Sequence, residues 1–295
     1  MSHGRDPQGR KLKVAPVCRR VGMSRQNYHA THQRRQRQQV EAAVVVQLAQ
    51  RERQRQPQLG GRKVYVLIKP ELERAGVKAG RDRVLEILRQ RDMLVPPPKA
   101  AYPCTTQSVH ALPVFTNLVK DKELTGPNQA WASDITYIRT VQGFIYLALI
   151  MDLFSRKIVG FCAGTSLAAS LTLGALQQAL KTLPPGCHPL HHSDQGCQYC
   201  CHEYVALLQS RGLPVSMCEV NHCAENATAE RLNGILKQEY GLGQEQPSRP
   251  HALGAIAQAV ELYNTQRPHT SLKYQVPEVV HRQGGLAPAK QGERI

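Results

Sequence analysis

From Ala130 onward, the chain alternates between short apolar runs and amphipathic stretches. Three runs rich in β-branched and aromatic residues are separated by turn signals at 141–143 and 155–156: WASDITYIRT, GFIYLALIMDLFS and KIVGFCAG. This spacing predicts three antiparallel strands. The pattern continues with a helix over 166–183, a strand at PLHHSD, a helix over about 202–211, a strand at LPVSM, and helices over about 225–239 and 251–264.

Three strands followed by helix, strand, helix, strand and helix is the element order of a ribonuclease-H-like α/β domain. We therefore predict such a core over residues 127–280, with a Pro- and Gly-containing tail over 281–295. The run of three prolines at 96–98 begins a polar segment, so residues 96–126 are predicted to be a linker.

Residues 1–60 contain thirteen Lys or Arg and three acidic residues. Within this basic arm, the stretch from Pro16 to Ala30 predicts a helix, a turn at Gly22 and a second helix whose first backbone N–H groups Ser24 caps. Three polar side chains would then begin a recognition helix, where base edges are normally reached: Arg25, Gln26 and Asn27. The alternative is a solvated basic helical arm without base contacts.

Residues 61–95 predict a second helical DNA-binding unit. Its two helical patterns are separated by Gly76 and Gly80. An apolar face is expected from five residues, namely Val84, Leu85, Ile87, Leu88 and Leu94.

Charge and composition limit the kinds of molecule that the protein is expected to bind. The net charge of +16 at pH 7 and the pI near 9.7 match a polyanion such as DNA, because cations that meet phosphates release condensed counterions.

No apolar run is long enough to span a membrane, and the amino terminus lacks a secretory signal pattern. Nine cysteines without a disulfide-scaffold pattern favour a reducing, cytoplasmic setting. For a DNA-binding protein, such a setting means association with the nucleoid.

Three acidic residues lie at positions suited to metal-assisted phosphoryl transfer. Asp134 lies in the first predicted strand, Asp194 ends the fourth, and Glu230 lies in the helix over 225–239, whose residues Ala229, Leu232 and Leu236 are expected to point inward. Such chemistry uses two divalent ions about 4 Å apart, held by carboxylates from separate elements. An acid within an apolar strand is costly to bury unless it is paired or bound to metal.

Other acidic residues have competing interpretations. Asp152 follows an apolar run and is interpreted as structural, capping the turn or pairing with Arg156. Glu225 is the main rival of Glu230, but it points in a different direction on the same predicted helix.

Five segments make the chain resemble the OrfB-type transposases of the IS-three group of bacterial insertion sequences, which are related to retroviral integrases. They are PNQAWASDITYI, YLALIMDLFSRKIVGF, HHSDQGCQY, ENATAERLNGILKQE and YNTQRPHTSLKYQVP. The 35 residues between Asp194 and Glu230 match the spacing in that family. The chain departs from the family pattern at Cys197, where a small polar residue is usual, and at Glu225, where Asp is frequent. The amino-terminal regions match more loosely.

The resemblance implies an integrase-like catalytic core in which Asp134, Asp194 and Glu230 bind two Mg²⁺ or Mn²⁺ ions. It implies DNA cleavage and strand transfer without a covalent protein–DNA intermediate. The expected partners are the terminal inverted repeats of an insertion sequence, target DNA, a second copy of the chain and the product of an upstream reading frame.

Several further residues have two open interpretations. His192 either positions a phosphate or water or packs at a strand end. Lys237 either holds a DNA phosphate or is a solvated helix lysine. Arg267 and His269 either close over the active site or anchor the last helix. The cysteine pairs Cys197, Cys200 and Cys218, Cys223 superficially suggest zinc, but thiolates there would compete with an oxygen-ligand site.

The sequence therefore predicts a metal-dependent DNA transposase. One alternative is a catalytically silent DNA-binding regulator derived from a transposase, although the intact triad argues against it. The other is a plain ribonuclease-H-like nuclease, which would not need the long basic amino-terminal units.

Overall fold

The computed structural model describes residues 14–96, 112–120, 122–218 and 227–284. By its contacts the chain forms two compact units. One comprises the chain up to Arg51 together with Ile68–Leu94, and the other comprises Glu52–Leu67 together with the chain from Val95 onward. Two of the three division points, after Arg51 and after Leu67, lie inside helices, whereas the sequence predicted a boundary between residues 60 and 61. Bonds made by residues 56–63 explain this: Gln58 N–H donates to the Glu239 carbonyl over 3.3 Å, and the Lys63 ammonium lies 2.7 Å from the Glu239 carboxylate.

The amino-terminal region has the predicted helix, glycine turn and helix. α1 spans Val14–Arg20 and α2 spans Arg25–Arg55. Gly22 has φ of +65°, a conformation that glycine adopts without steric cost. The Ser24 hydroxyl accepts a hydrogen bond from the Asn27 backbone N–H over 3.1 Å, as predicted for the cap. α2 is 31 residues long.

The second pair of predicted helices is α3, over Gly61–Arg74, and α4, over Arg81–Gln90. Val84, Ile87 and Leu88 are buried on α4, as expected for an apolar face. Leu94 was assigned wrongly to that face. It lies beyond the end of α4 and its side chain is 37% exposed.

A five-stranded mixed sheet forms the centre of the larger unit. Its strands are β1 over Ala130–Thr140, β2 over Gly143–Asp152, β3 over Ile158–Gly164, β4 over Leu190–Ser193 and β5 over Val215–Met217. The spatial order is β3-β2-β1-β4-β5. β1, β2 and β3 pair antiparallel, as the short turns between them require, while β4 pairs parallel with both β1 and β5.

Helices cover both faces of this sheet. One face carries α5 over Ala169–Thr182, α6 over Cys197–Cys200 and α7 over His202–Ser210. The other carries α8 over Ala227–Glu239 and α9 over Arg249–Thr265. α5 approaches β3 closely, and a Cβ at Gly160 would collide with the carbonyl oxygen of Ala175. The observed order confirms the predicted ribonuclease-H-like α/β arrangement.

The described chain ends in elements that the sequence analysis missed. A short 3-10 helix spans Thr270–Leu272, and α10 spans Pro277–Gln283. Pro277 sits at the first turn of α10, where its missing N–H costs no intrahelical hydrogen bond. Among the residues with described positions, no helix is long and apolar enough to cross a bilayer.

Asp152 connects β2, the following turn and α10. Its side chain is fully buried. It accepts hydrogen bonds from the Asn128 N–H at 2.6 Å and from the N–H and hydroxyl of Ser155, both at 2.7 Å. The Ser155 hydroxyl also contacts His281 Nδ1 at 2.8 Å. Burial alone would raise the pKa of Asp152, but His281 and the hydrogen bonds from Ser155 and Asn128 together hold that pKa below its ordinary value.

We predict that Asp152→Asn lowers the free energy of unfolding by about 2 kcal/mol at pH 7, because buried donors lose a charged acceptor. A depressed folded-state pKa adds stability above the unfolded pKa of about 3.9 and loses it as the pH falls through the folded value. The difference between wild type and variant should therefore shrink below about pH 4. Denaturant unfolding across pH measures it. Glu261→Gln, at an exposed carboxylate of α9, is the control. An equal loss in both variants, or a loss independent of pH, would contradict the role of Asp152.

Candidate active site

Asp134 and Asp194 lie next to each other because of the register between β1 and β4. Ala132 pairs with His192 in this parallel ladder, and each earlier pair keeps the same offset of 60 residues. Continuing that offset places Asp194, directly after β4, opposite Asp134. Adjacent strands are about 4.8 Å apart, and residues opposite each other in register point to the same face. Both side chains are half-buried.

Glu230 lies in the first turn of α8. Ala229, Leu232 and Leu236 are buried against the sheet, as predicted, and they fix the rotation of the helix. Glu230 itself is exposed. It lies on the solvent side of the helix start. Its rival Glu225 lies outside the described residues.

The charges of Asp194 and Glu230 both act on Asp134. Burial raises the pKa of Asp134 to about 7, and the negative charges of Asp194 and Glu230 add to this rise. Hydrogen bonds from the Ile135 N–H at 2.9 Å and from Asn233 oppose it. Burial also raises the pKa of Asp194, whose Oδ1 accepts a bond from the Gly196 N–H at 3.0 Å. The site therefore brings together negative charges that act on Asp134.

Two side chains at this site were missed by the sequence analysis. Asn233 Nδ2 donates to Asp134 Oδ2 over 2.6 Å, and its position three residues after Glu230 on the same helix face was an available signal. Tyr199 lies on α6, shortly after Asp194 in the chain, and is buried near both aspartates. Its hydroxyl has no hydrogen-bond partner among the described residues. The pattern of apolar and polar residues in the sequence could not have indicated a buried hydroxyl without a hydrogen-bond partner.

Lys237 lies at the edge of the same site. Its ammonium is 4.3 Å from the centre of the Tyr137 ring. Burial lowers the pKa of Lys237, while the charge of Asp134 acts in the opposite direction. Lys237 is thus half-buried and not fully solvated.

His192 packs inside the fold. It is buried between the Ser216 hydroxyl, 2.9 Å from Nδ1, and the Cys218 sulfur, 3.3 Å from Nε2. This contact set matches a histidine packed at a strand end. Cys197 is exposed while Cys200 and Cys218 are buried, and Cys223 lies outside the described residues.

Arg267 and His269 anchor the end of α9. The Arg267 guanidinium binds Glu239 through two bonds of 2.8 Å and donates to His269 Nε2 at 2.8 Å. Because Glu239 is the last residue of α8, this buried pair also fastens α8.

The donor set at the site fits a hard divalent cation. Among the described residues, no three His, Cys, Asp or Glu side chains form a ready-made metal cluster. The pair Asp134 and Asp194, with Glu230 within electrostatic reach, nevertheless supplies oxygen ligands and excess negative charge. Magnesium is held by a few carboxylates together with water and substrate phosphate, so a complete protein cage is not required.

We predict that Asp194→Asn stabilises the protein in magnesium-free buffer at pH 8 by about 1 kcal/mol, because it removes a partly buried charge that repels Asp134. The asparagine Oδ1 can still accept from the Gly196 N–H. Thermal unfolding measures the effect. Glu203→Gln removes an exposed carboxylate from α7 and should leave stability unchanged. A destabilised Asp194→Asn protein would show that the two aspartates do not strain the fold.

The core sequence matches known family models. A model described as integrase core domain matches residues 125–223, and a second model with the same description matches residues 211–277. Together these spans contain Asp134, Asp194 and Glu230.

Among solved structures, the chain is similar to the HTLV-2 integrase catalytic core domain in complex with magnesium. The two share 22% identity and a TM-score of 0.42, over 52% of this chain and 97% of that one.

Relatives match over longer stretches of sequence. The insertion element IS600 uncharacterized 31 kDa protein of Shigella sonnei is 33% identical over 260 residues, covering 87% of this chain and 94% of its own length. Transposase InsF for insertion sequence IS3A of Escherichia coli K12 is 38% identical over 163 residues, covering 55% of this chain and 57% of InsF. The chain therefore belongs to the IS3-type transposases of insertion sequences, with an integrase-like core.

Proposed function

We propose that this transposase cleaves DNA at the ends of an insertion sequence and joins them to new DNA at the site formed by Asp134, Asp194 and Glu230. The observation that carries the proposal is the register of β1 with β4, which places Asp194 opposite Asp134. Glu230 lies close enough for its charge to act on Asp134, and a group of carboxylates is suited to a divalent metal. The fold, with two acids on adjacent parallel strands, supports the same assignment.

The reaction would proceed in two displacements. In the first, a water oxygen attacks the phosphorus at the element end, the bond to the 3′ oxygen breaks, and a 3′-hydroxyl is released. In the second, that hydroxyl attacks a phosphodiester of target DNA and displaces its 3′ oxygen. Two bound Mg²⁺ or Mn²⁺ ions would supply positive charge at the attacking and leaving oxygens. Asp134, Asp194 and Glu230 would hold them.

Neighbouring side chains would prepare the site for this chemistry. The Asn233 bond holds the Asp134 carboxylate in one orientation. Lys237, next to Asp134, would bind a phosphate oxygen of the DNA strand. The buried anchor at Glu239 fixes the far end of α8 and with it the rotation that presents Glu230.

The amino-terminal helices would recognise the element ends. Arg25, Gln26 and Asn27 are exposed at the start of α2, directly after the Ser24 cap, and would contact base edges in the major groove. Residues 61–95 would supply a second DNA contact, and 96–126 would link both regions to the core. Pairing two DNA ends calls for at least two copies of the chain, and the upstream-frame product would add further DNA contacts.

We predict that purified protein with Mg²⁺ joins a labelled element end to plasmid DNA. Asp134→Asn, Asp194→Asn and Glu230→Gln should each reduce joining by at least roughly a thousandfold, because each removes a ligand of the ions that stabilise the transition state. Binding of the element end in gel-shift assays should persist in all three variants. Removal of divalent ions with a chelator should abolish joining by the wild type.

The control for this experiment is Glu203→Gln, which removes one acid from the same unit but outside the site. Wild-type joining rates in the three triad variants would overturn the assignment. End binding without joining in the wild-type protein would instead favour the silent DNA-binding regulator.

The two classes of DNA contact should respond differently to substitution. Lys237→Gln should weaken binding of all DNA sequences and reduce the slope of log affinity against log salt by about one, as expected for a lost phosphate contact. Asn27→Ala should reduce the preference for the element end over random DNA and leave that slope nearly unchanged. Fluorescence anisotropy over a salt series separates them, with Lys181→Gln on α5 as the charge-matched control. Equal salt slopes in Lys237→Gln and wild type would exclude a phosphate contact.

A further inference from the structure

A cavity of about 290 Å³ lies beside α8, on a flank of the helix different from the one that contacts Asp134. Its apolar floor includes Met151 of β2 and Ile235 of α8. Its polar lining comes from Arg156, Arg231 and the hydroxyls of Thr228 and Ser271. All of these residues belong to the larger unit. An apolar cavity with two guanidinium groups and two hydroxyls at its wall presents several hydrogen-bond donors and no carboxylate.

The two guanidinium groups are available to a ligand. Within the described residues, neither Arg156 nor Arg231 has an ion-pair partner. Arg156 is half-buried, and the carboxylate whose charge it feels is Asp152. That carboxylate already accepts bonds from Ser155 and the Asn128 N–H. A half-buried guanidinium without a bidentate partner is costly unless an anion binds it.

The backbone of Arg156 is held in an unusual conformation. Its φ is +63°, in the left-handed region that non-glycine residues rarely adopt. The Arg156 N–H donates to the Asp152 carbonyl at 2.9 Å, and its own carbonyl accepts from the Tyr263 hydroxyl at 2.9 Å. Both bonds fix the peptide groups around the strained residue. Strain that surrounding contacts maintain in this way is found where a side chain must point in a set direction.

Other cations add to the positive field around the cavity. His269, which also lines it, has a pKa lowered to about 2 by burial and by the charges of Arg267, Lys63 and Arg156. The charges of Arg267 and Arg231 also help to lower the pKa of Lys63. Glu239 neutralises only part of this charge, because Lys63 and Arg267 both bind it. The imidazole therefore stays neutral, and the cavity keeps a net positive surrounding.

We propose that this cavity binds a backbone phosphate of DNA, gripped by the guanidinium groups of Arg156 and Arg231. The inference rests on the proposed function, since it places a second DNA contact beside the reacting site. Arg231 directly follows Glu230, so the two side chains differ by about 100° around α8 and 1.5 Å along it. If the phosphate that is cleaved lies at Glu230, a neighbouring phosphate of the same DNA strand lies near Arg231. The paired donors of a guanidinium match two phosphate oxygens.

The test uses the full chain and four variants: Arg156→Gln, Arg156→Lys, Arg231→Gln and, as the matched control, Arg211→Gln. Arg211 is an exposed arginine at the end of α7, outside the cavity. Binding of element-end DNA is measured over a salt series. We expect Arg156→Gln and Arg231→Gln each to weaken binding roughly tenfold and to reduce the salt slope by about one. Arg156→Lys should retain the slope but not the full affinity, and Arg211→Gln should match wild type.

A second measurement separates this inference from the proposed function. Inorganic phosphate is titrated into the DNA-free protein and followed by NMR of arginine side chains. Shifts that are confined to Arg156 and Arg231 support the phosphate site even where no joining activity is found. If the wild type joins DNA while Arg231→Gln keeps the wild-type salt slope, the inference fails and the proposed function stands. Because Arg231 is exposed, that variant tests the idea even if Arg156→Gln does not fold.

Discussion

The parallel pairing of β1 with β4 is the constraint on which the candidate active site depends. Only three pairs of residues form this ladder, yet its register places Asp194 opposite Asp134 although 59 residues separate them in the chain. A shift by one residue would send one of the two side chains to the other face of the sheet. Beyond Ala132, β1 no longer pairs with β4, which ends at Ser193. The acids thus lie where the paired region stops and the sheet opens toward solvent.

The third acid depends on packing and not on strand pairing. α8 is fixed by apolar residues against the sheet and, at its last residue, by the bonds from Arg267 and Lys63 to Glu239. Buried ion pairs contribute little net stability but are strongly destabilising when one partner is removed. Their value at this position is orientation, because they hold the helix at the end opposite Glu230. The C-terminal end of α8 is thus held in place. Its first turn, which carries the exposed Glu230, remains accessible to DNA.

Much of this arrangement can be predicted from the sequence. The rest could not be predicted, for identifiable physical reasons. The alternation of apolar runs predicted all five strands and the helices α5 and α7 between them, though not the short α6, and Gly22 with Ser24 predicted the first turn and cap. Strand register, in contrast, depends on pairing between distant segments and cannot be deduced from local pattern. The hydrogen bond from Asn233 to Asp134 and the direction of the Arg156 side chain likewise depend on contacts between distant segments. The exposure of Glu230 was missed because the start of a helix faces solvent more than its apolar spacing indicates.

The network around Asp152 also determines how the chain can be shortened or fused. Ser155 and His281 join the turn after β2 to α10, and the Lys157 ammonium lies 2.7 Å from Glu278 on the same helix. α10 thus acts as a lid over a fully buried carboxylate. A core fragment cut before Pro277 would open that carboxylate to water and remove one of its partners. Shortened versions for crystallisation, or fusions to a targeting protein, should therefore retain the chain through Gly284 and attach any tag beyond it.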